Sequence, residues 1–217
     1  MASIAVIGGT GHLGKGIARR LARAGHEVTI GSRSAQKGEA IAAEVGYGVK
    51  GAANDEAAQS KDVVIVTVPY ENQEATLKQI KDKVGGAIVV DTTVPLVPPK
   101  VMRVQLPAAG SAAAEAREHL GPDVRLVTAF HNVSAHILDS DAKVDCDVLV
   151  FSDDVEARNT VIELIGEMEL RGLSGGTLGN SAAAEALTSL LIYMNKTYKA
   201  DGSGIRFTGL TAAPAIP

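Results

Sequence analysis

Short apolar runs alternate with amphipathic stretches along most of this chain, and their order predicts strands interleaved with helices. The first run, Ile4 to Ile7, is too short for a helix and stops at Gly8-Gly9-Thr10-Gly11-His12-Leu13-Gly14. Beyond it Ile17, Ala18, Leu21 and Ala24 recur at helical spacing, with Lys15, Arg19, Arg20 and Arg23 around the remaining surface. Gly25-His26 supplies a helix stop, and Glu27 to Ile30 reads as a second strand. Further strands are expected near Val49 and over Asp62 to Val68, Ala87 to Val90 and Val124 to Thr128. Helical patterns fall between them at Asn54 to Ser60, Glu71 to Val84 and Ser111 to His119.

This alternation predicts an α/β fold, a Rossmann-type doubly wound parallel sheet, over residues 1–130. The pattern then changes. Val148 to Phe151 reads as a strand, and Asp153 with Glu156 has capping-box spacing before a helix whose apolar face holds Val161, Ile162, Leu164 and Ile165. Leu170 to Leu173 adds a further strand. A long helix runs from Asn180 to about Tyr198, with Leu187, Leu190, Leu191, Met194 and Tyr198 on one stripe. That stripe packs either inside the subunit or against a second copy, and the two readings stay open. Residues 131–217 are therefore expected to form a smaller C-terminal α/β extension ending in a long helix, followed by a short Ala/Pro end.

Composition narrows the function classes. A chain of 217 residues with 46% apolar content and a formal charge of −4 can bury one good core and a small annexe. It has no basic run and only 3% aromatic residues, which argues against nucleic acid as a partner. The lone Cys146 has no internal disulfide partner and reads as a small core residue; no C-x-x-C or His cluster has metal-ligand spacing, so no metal is expected. No charged-then-apolar leader opens the chain and no apolar stretch approaches 18 residues. A cytoplasmic protein without membrane attachment is the expectation.

The glycine turn carries the chemistry. Gly9 to Gly14 spells G-x-G-x-x-G between a strand and an amphipathic helix, the context of a dinucleotide site. Gly9 is expected to make the tight turn, Gly11 to admit a pyrophosphate close to the backbone, and Gly14 to let helix and strand pack closely. The helix N-terminus would then hold the diphosphate through backbone N–H groups around Gly9, Thr10, Gly11, His12 and Leu13.

After the second strand an NAD site needs a carboxylate for the ribose hydroxyls, but the chain reads Gly31-Ser32-Arg33-Ser34, with Lys37 one turn on. Ser32, Arg33 and Lys37 would attract a 2′-phosphate, and two charge-assisted bonds of about 1.5 to 3 kcal/mol each favour NADP by roughly a hundredfold or more. The plain alternative is that Ser32 caps a helix and the two cations are solvated. Val68 and Pro69 follow a strand end and should border the nicotinamide, although Pro69 equally suits strand termination. Asp91 to Pro99 is too proline-rich for a helix and reads as a rigid substrate wall.

Taken together, these residues resemble the NADPH-dependent reductases of the deazaflavin coenzyme F420, the F420H2:NADP oxidoreductases. The likeness rests on Gly8 to Gly16, on Gly31-Ser32-Arg33 with Lys37, on Val68-Pro69 followed by an aromatic, on Val94-Pro95-Leu96, and on Gly179-Asn180-Ser181 before the last helix. It implies direct hydride transfer between nicotinamide C4 and deazaflavin C5, a homodimer, and a deazaflavin pocket at Pro95, His131 and Val133. His131 is expected to position a ring carbonyl rather than donate a proton. His12 stands where the family pattern has Asn, and Thr92-Thr93 and the spacing after Pro99 also depart from it. Two other functions use the same first domain: an NADP-dependent reductase of a small imine or keto acid, and a non-catalytic NADP(H)-sensing protein.

Overall fold

A computed structural model describes residues 1–210; the Ala/Pro-rich end, 211–217, lies outside the described residues. Strand β1 (Ser3–Ile7) leads into α1 (His12–Arg23), β2 (Glu27–Ser32), α2 (Ala35–Val45) and β3 (Lys50–Ala53). The chain continues through α3 (Asn54–Ala57), β4 (Val63–Val66), α4 (Gln73–Ile80), β5 (Ile88–Asp91), α5 (Ala112–Leu120) and β6 (Arg125–Thr128). It closes with α6 (Ala135–Leu138), β7 (Asp147–Phe151), α7 (Val155–Glu167), β8 (Arg171–Gly176) and α8 (Ser181–Tyr198).

All eight strands join one sheet in the order β3-β2-β1-β4-β5-β6-β7-β8. The first six are parallel, and the strand order reverses between β1 and β4, where open α/β sheets form their ligand crevice. Strand β7 runs antiparallel to β6 through Thr128 and Phe151, and β8 is parallel to β7. The C-terminal segment therefore extends the same sheet with its direction reversed.

Strand alternation explains the two cores. Ile4 and Val6 point to one face with Ile17, Leu21, Val127, Val148 and Ile165, while Ala5 and Ile7 point to the other with Val64, Val66, Leu77, Leu120 and Leu126. Central strands buried on both faces need unbroken apolar runs, which is why they stood out in the sequence. The first cluster draws on residues on both sides of position 130.

Several elements sit differently from expectation. Helix α7 is capped by Asp154, which accepts a hydrogen bond from the Ala157 N–H at 2.9 Å, rather than by Asp153; Asp153 instead accepts from Leu178 N. The segment expected to start a helix at Glu71 begins as a 3-10 turn, Tyr70–Asn72, and α4 ends at Ile80. Ala24 is the exposed C-cap of α1 and not part of its apolar face. Of the two readings left open for α8, the protomer leaves Leu190, Met194 and Tyr198 of the stripe exposed, along with Tyr193, and its buried residues are Ser181, Ala184, Glu185 and Ser189. Among the described residues no helix is long and apolar enough to cross a membrane.

Candidate functional site

Every sequence-predicted site residue follows the C-terminal end of a parallel strand. Gly9 to Leu13 follow β1, and Ser32 to Lys37 begin at the last residue of β2. Val68 and Pro69 follow β4, Pro95 follows β5, and His131 and Val133 follow β6. Parallel pairing puts these five strand ends on one rim of the sheet, on either side of the switch point.

The turn after β1 divides its labour among the glycines differently from expectation. Gly8, not Gly9, takes the left-handed backbone, with φ of 70°. Gly9 and Gly14 are required by crowding: a Cβ on Gly14 would lie 2.4 Å from Gly9 Cα, and one on Gly9 would lie 2.8 Å from the Val6 carbonyl oxygen. Gly11 has open space where its Cβ would be, and as N-cap of α1 it offers no side-chain bond to the helix N–H groups. The first turn of α1 contains no acidic residue. An uncapped N-terminus beside an open glycine fits a diphosphate: the free donors and the positive end of the helix dipole have no competing protein anion in that turn.

At the end of β2, Ser32 is buried while Arg33 and Lys37 are exposed. Helix α2 is capped by Ser34, whose hydroxyl accepts from the Lys37 N–H at 3.2 Å, so Ser32 does not cap a helix. Among the described residues neither Arg33 nor Lys37 forms a salt bridge, and the first turn of α2 contains no acid. The other cations near the turn are engaged. Lys15 bonds Glu44 at 2.8 Å and Arg19 bonds Asp139 at 2.8 Å. Arg20 donates to the carbonyls of Leu138, Ser140 and Ala142, so the basic side of α1 clasps the segment after α6 instead of facing solvent. His12 shares Asp139 at 2.8 Å, and a Cβ on Gly16 would collide with Leu138 backbone atoms at 2.7 Å.

The next three strand ends carry the remaining residues of the rim. Val68 packs over Gly8, where an added Cβ would lie 2.4 Å from Val68 Cγ1, and Asn54 Oδ1 accepts from Gly8 N at 3.5 Å. The Tyr70 hydroxyl donates to Glu115 at 2.8 Å; burial first, and that carboxylate second, push its pKa up to about 12. Pro95 is buried and Val133 half-buried, whereas Pro69 is exposed.

Sequence reasoning missed a buried polar cluster behind this rim. Asp91 accepts from Gln73 Nε2 at 2.6 Å and from the Thr93 hydroxyl, and burial pushes its pKa up to about 6 against those bonds. Glu185 of α8 accepts from the backbone N–H groups of Ala112 at 2.7 Å and Ala113 at 3.1 Å, completing with Ser111 the N-terminus of α5. Burial raises the Glu185 pKa, and nearby Asp91 adds to the rise.

His131 is 5% exposed, and burial alone lowers its pKa to about 4, leaving a neutral ring at neutral pH. Its Nε2 lies 3.5 Å from Ser181 Oγ, while its Nδ1 is buried without a partner among the described residues. Phe130, just before it, holds a left-handed φ of 67° that only surrounding structure can impose on a bulky residue. The signal for this cluster was available: Ser181, Glu185 and Ser189 recur every four residues on an alanine-rich helix.

The family described as "NADP oxidoreductase coenzyme F420-dependent" matches residues 3–95. The chain is 40% identical to the F420-dependent NADP reductase of Methanocaldococcus jannaschii, over 95% of this chain and 98% of that protein. It is also 40% identical to the F420-dependent NADP reductase of Methanothermobacter marburgensis, with the same coverage of both chains. A crystal structure of an Arthrobacter sp. FB24 protein superposes with a TM-score of 0.84 at 23% identity, covering 96% of this chain and all of that one, which shows a shared fold.

Proposed function

The chain belongs to the family of coenzyme F420-dependent NADP oxidoreductases, and on that basis we propose that it transfers a hydride directly between NADP(H) and the deazaflavin coenzyme F420. When bound, the nicotinamide and deazaflavin rings supply the chemistry, a hydride passing between one carbon of each. The protein's task is to hold the rings in register and keep water out.

Gly9, Thr10, Gly11, His12 and Leu13 hold the NADP diphosphate through the uncapped N-terminus of α1. Arg33 and Lys37, with Ser32 behind them, hold the 2′-phosphate. Val68 and Pro69 flank the nicotinamide, and Pro95, His131 and Val133 line the deazaflavin side. Residues 1–130 thus hold NADP and lend Pro95 to the F420 side, which 131–217 complete on one continuous sheet. The exposed apolar face of α8, with Leu190, Tyr193 and Met194, serves as the contact between two copies of a cytoplasmic homodimer.

The observation that carries the NADP part is the contrast among cations: those of α1 are paired or clasped, whereas Arg33 and Lys37 at the β2 end form no ion pair among the described residues. Mixing purified protein with NADPH and oxidised F420 should bleach the deazaflavin absorbance catalytically. Tight NADPH binding without bleaching would reassign the protein as a sensor, and equal rates with NADH would remove the role of the phosphate.

A further inference from the structure

The hydrogens of the buried cluster can be counted. Glu185 receives three donors on its two oxygens: Ala112 N–H at 2.7 Å, Ala113 N–H at 3.1 Å and the Ser181 hydroxyl at 3.1 Å. The two backbone donors favour the ionised, acceptor-only carboxylate against burial, which raises its pKa, and toward an ionised carboxylate the Ser181 hydroxyl can only donate. Ser181 therefore spends its one proton on Glu185. Its oxygen also accepts from the Thr128 hydroxyl at 2.9 Å, and a single lone pair is left for the His131 Nε2 at 3.5 Å.

If Nε2 were bare, two lone pairs would face each other at 3.5 Å in a buried site, so the proton of the neutral ring must sit on Nε2. Nδ1 is then a bare acceptor, buried and unpartnered. Neighbouring Asn132 repeats the pattern: its Nδ2 donates to the Ala184 carbonyl at 2.8 Å and to Thr188 Oγ1 at 3.1 Å, which fixes the amide and leaves Oδ1 as a second unpartnered acceptor.

We propose that Glu185, acting through Ser181, holds His131 as the Nε2–H tautomer, so that the ring offers the Nδ1 lone pair to an N–H donor of a bound cofactor rather than a proton to a ring carbonyl. Glu185 is thereby a positioning residue for hydride transfer. The inference rests on the reading of the site as the meeting point of NADP and F420, and it reverses the hydrogen bond expected of His131 from sequence. Two cofactor groups have the required chemistry: the carboxamide of nicotinamide and the imide N–H of the deazaflavin ring. A buried acceptor left without a partner is destabilising, and a ligand donor that satisfies it binds with its ring orientation fixed.

Histidine-selective 15N NMR of the full-length protein tests this without turnover, with the His131 signals assigned by their loss in His131→Gln. The wild-type ring should show protonated Nε2 and bare Nδ1. Glu185→Gln keeps an oxygen for the Ala112 N–H and turns its amide nitrogen toward Ser181, giving up the Ala113 bond; donation from that amide frees the Ser181 hydroxyl to donate to Nε2 and moves the ring proton toward Nδ1. With NADPH and F420 that variant should lose about tenfold in kcat, with the NADPH KM within about twofold where the imide is the donor and raised further where the carboxamide is. Ser181→Ala should also erase the tautomer preference, and it serves if Glu185→Gln fails to fold.

NADP+ and oxidised F420 are added separately: a shift of Nδ1 with the first alone assigns the donor to the carboxamide, and with the second alone to the imide. A wild-type ring protonated on Nδ1 overturns the proposal. So do a tautomer unchanged in both variants and an Nδ1 signal that neither ligand moves in an enzyme that turns over. Loss of the functional reading has its own signature, absence of F420 reduction by wild-type enzyme whatever the tautomer.

Discussion

Helices α1 and α8 bury opposite kinds of surface. Helix α1 turns Ile17, Ala18 and Leu21 into the core and clasps its arginines onto a neighbouring segment. Helix α8 turns Ser181, Glu185 and Ser189 inward and leaves Leu190, Tyr193 and Met194 exposed. The difference teaches where apolar periodicity can be trusted. It reports the core side of a helix when the core is the only apolar surface that the helix meets. In α8 the inward side is occupied by hydrogen bonds that complete another helix's N-terminus, so the apolar side is free for a second surface.

The sharpest test of that contrast is Leu21→Ala. Leu21 is 1% exposed, and its truncation should lower the unfolding free energy in urea by about 2 to 5 kcal/mol. A loss below about 0.5 kcal/mol, the range of ordinary surface substitutions, would mean that α1 is no better packed than the outer face of α8.

Next come the buried titratable groups. Asp91 rises in the folded state from 3.8 to about 6. Its contribution is therefore full below pH 3.8 and is lost as pH rises through 6. His131 falls from 6.5 to about 4, so its contribution is full above pH 6.5 and is lost as pH falls through 4. Each swing is worth about 3 kcal/mol, and the two oppose each other between pH 4 and 6. Asp91→Asn should unmask stability that climbs with pH across this window. His131→Phe should unmask the reverse slope, to which Glu185 adds because burial raises its pKa as well. Urea titrations at stepped pH that gave both variants the same slope would refute the assignment.

A smaller effect is expected at the NADP end. Arg33→Ala removes one charge-assisted bond, so the NADPH KM should rise about tenfold or more, while NADH kinetics should hardly change. Smallest for the fold itself is Leu190→Asp, at a position 49% exposed. The protomer should change by less than about 0.5 kcal/mol, yet sedimentation should show dimers giving way to monomers. A wild-type protein that already sediments as a monomer would remove the role given to this face.

Much of the molecule was legible from particular residues. Ile4 to Ile7 and Val63 to Val66 lie between neighbours on both sides and between helices on both faces, so they had to be continuous apolar runs. The crowding at Gly14 and the exposed cations after β2 likewise follow from local spacing. The capping residue of α7 was misplaced by one position because Asp153 and Asp154 are chemically equivalent in a string; only backbone geometry chooses between them.

The succession of strands along the chain, the glycine turn and the exposed cations after β2 are local in the chain, and the amino-acid sequence determined them unaided. Which face of α8 is buried, and the meeting of Asp91, His131 and Glu185 in one buried cluster, were decided by tertiary structure. Those residues lie on three separate elements. A buried polar group is tolerated only when distant donors converge on it; the four-residue recurrence of Ser181, Glu185 and Ser189 marks a polar face but not the partners that it meets.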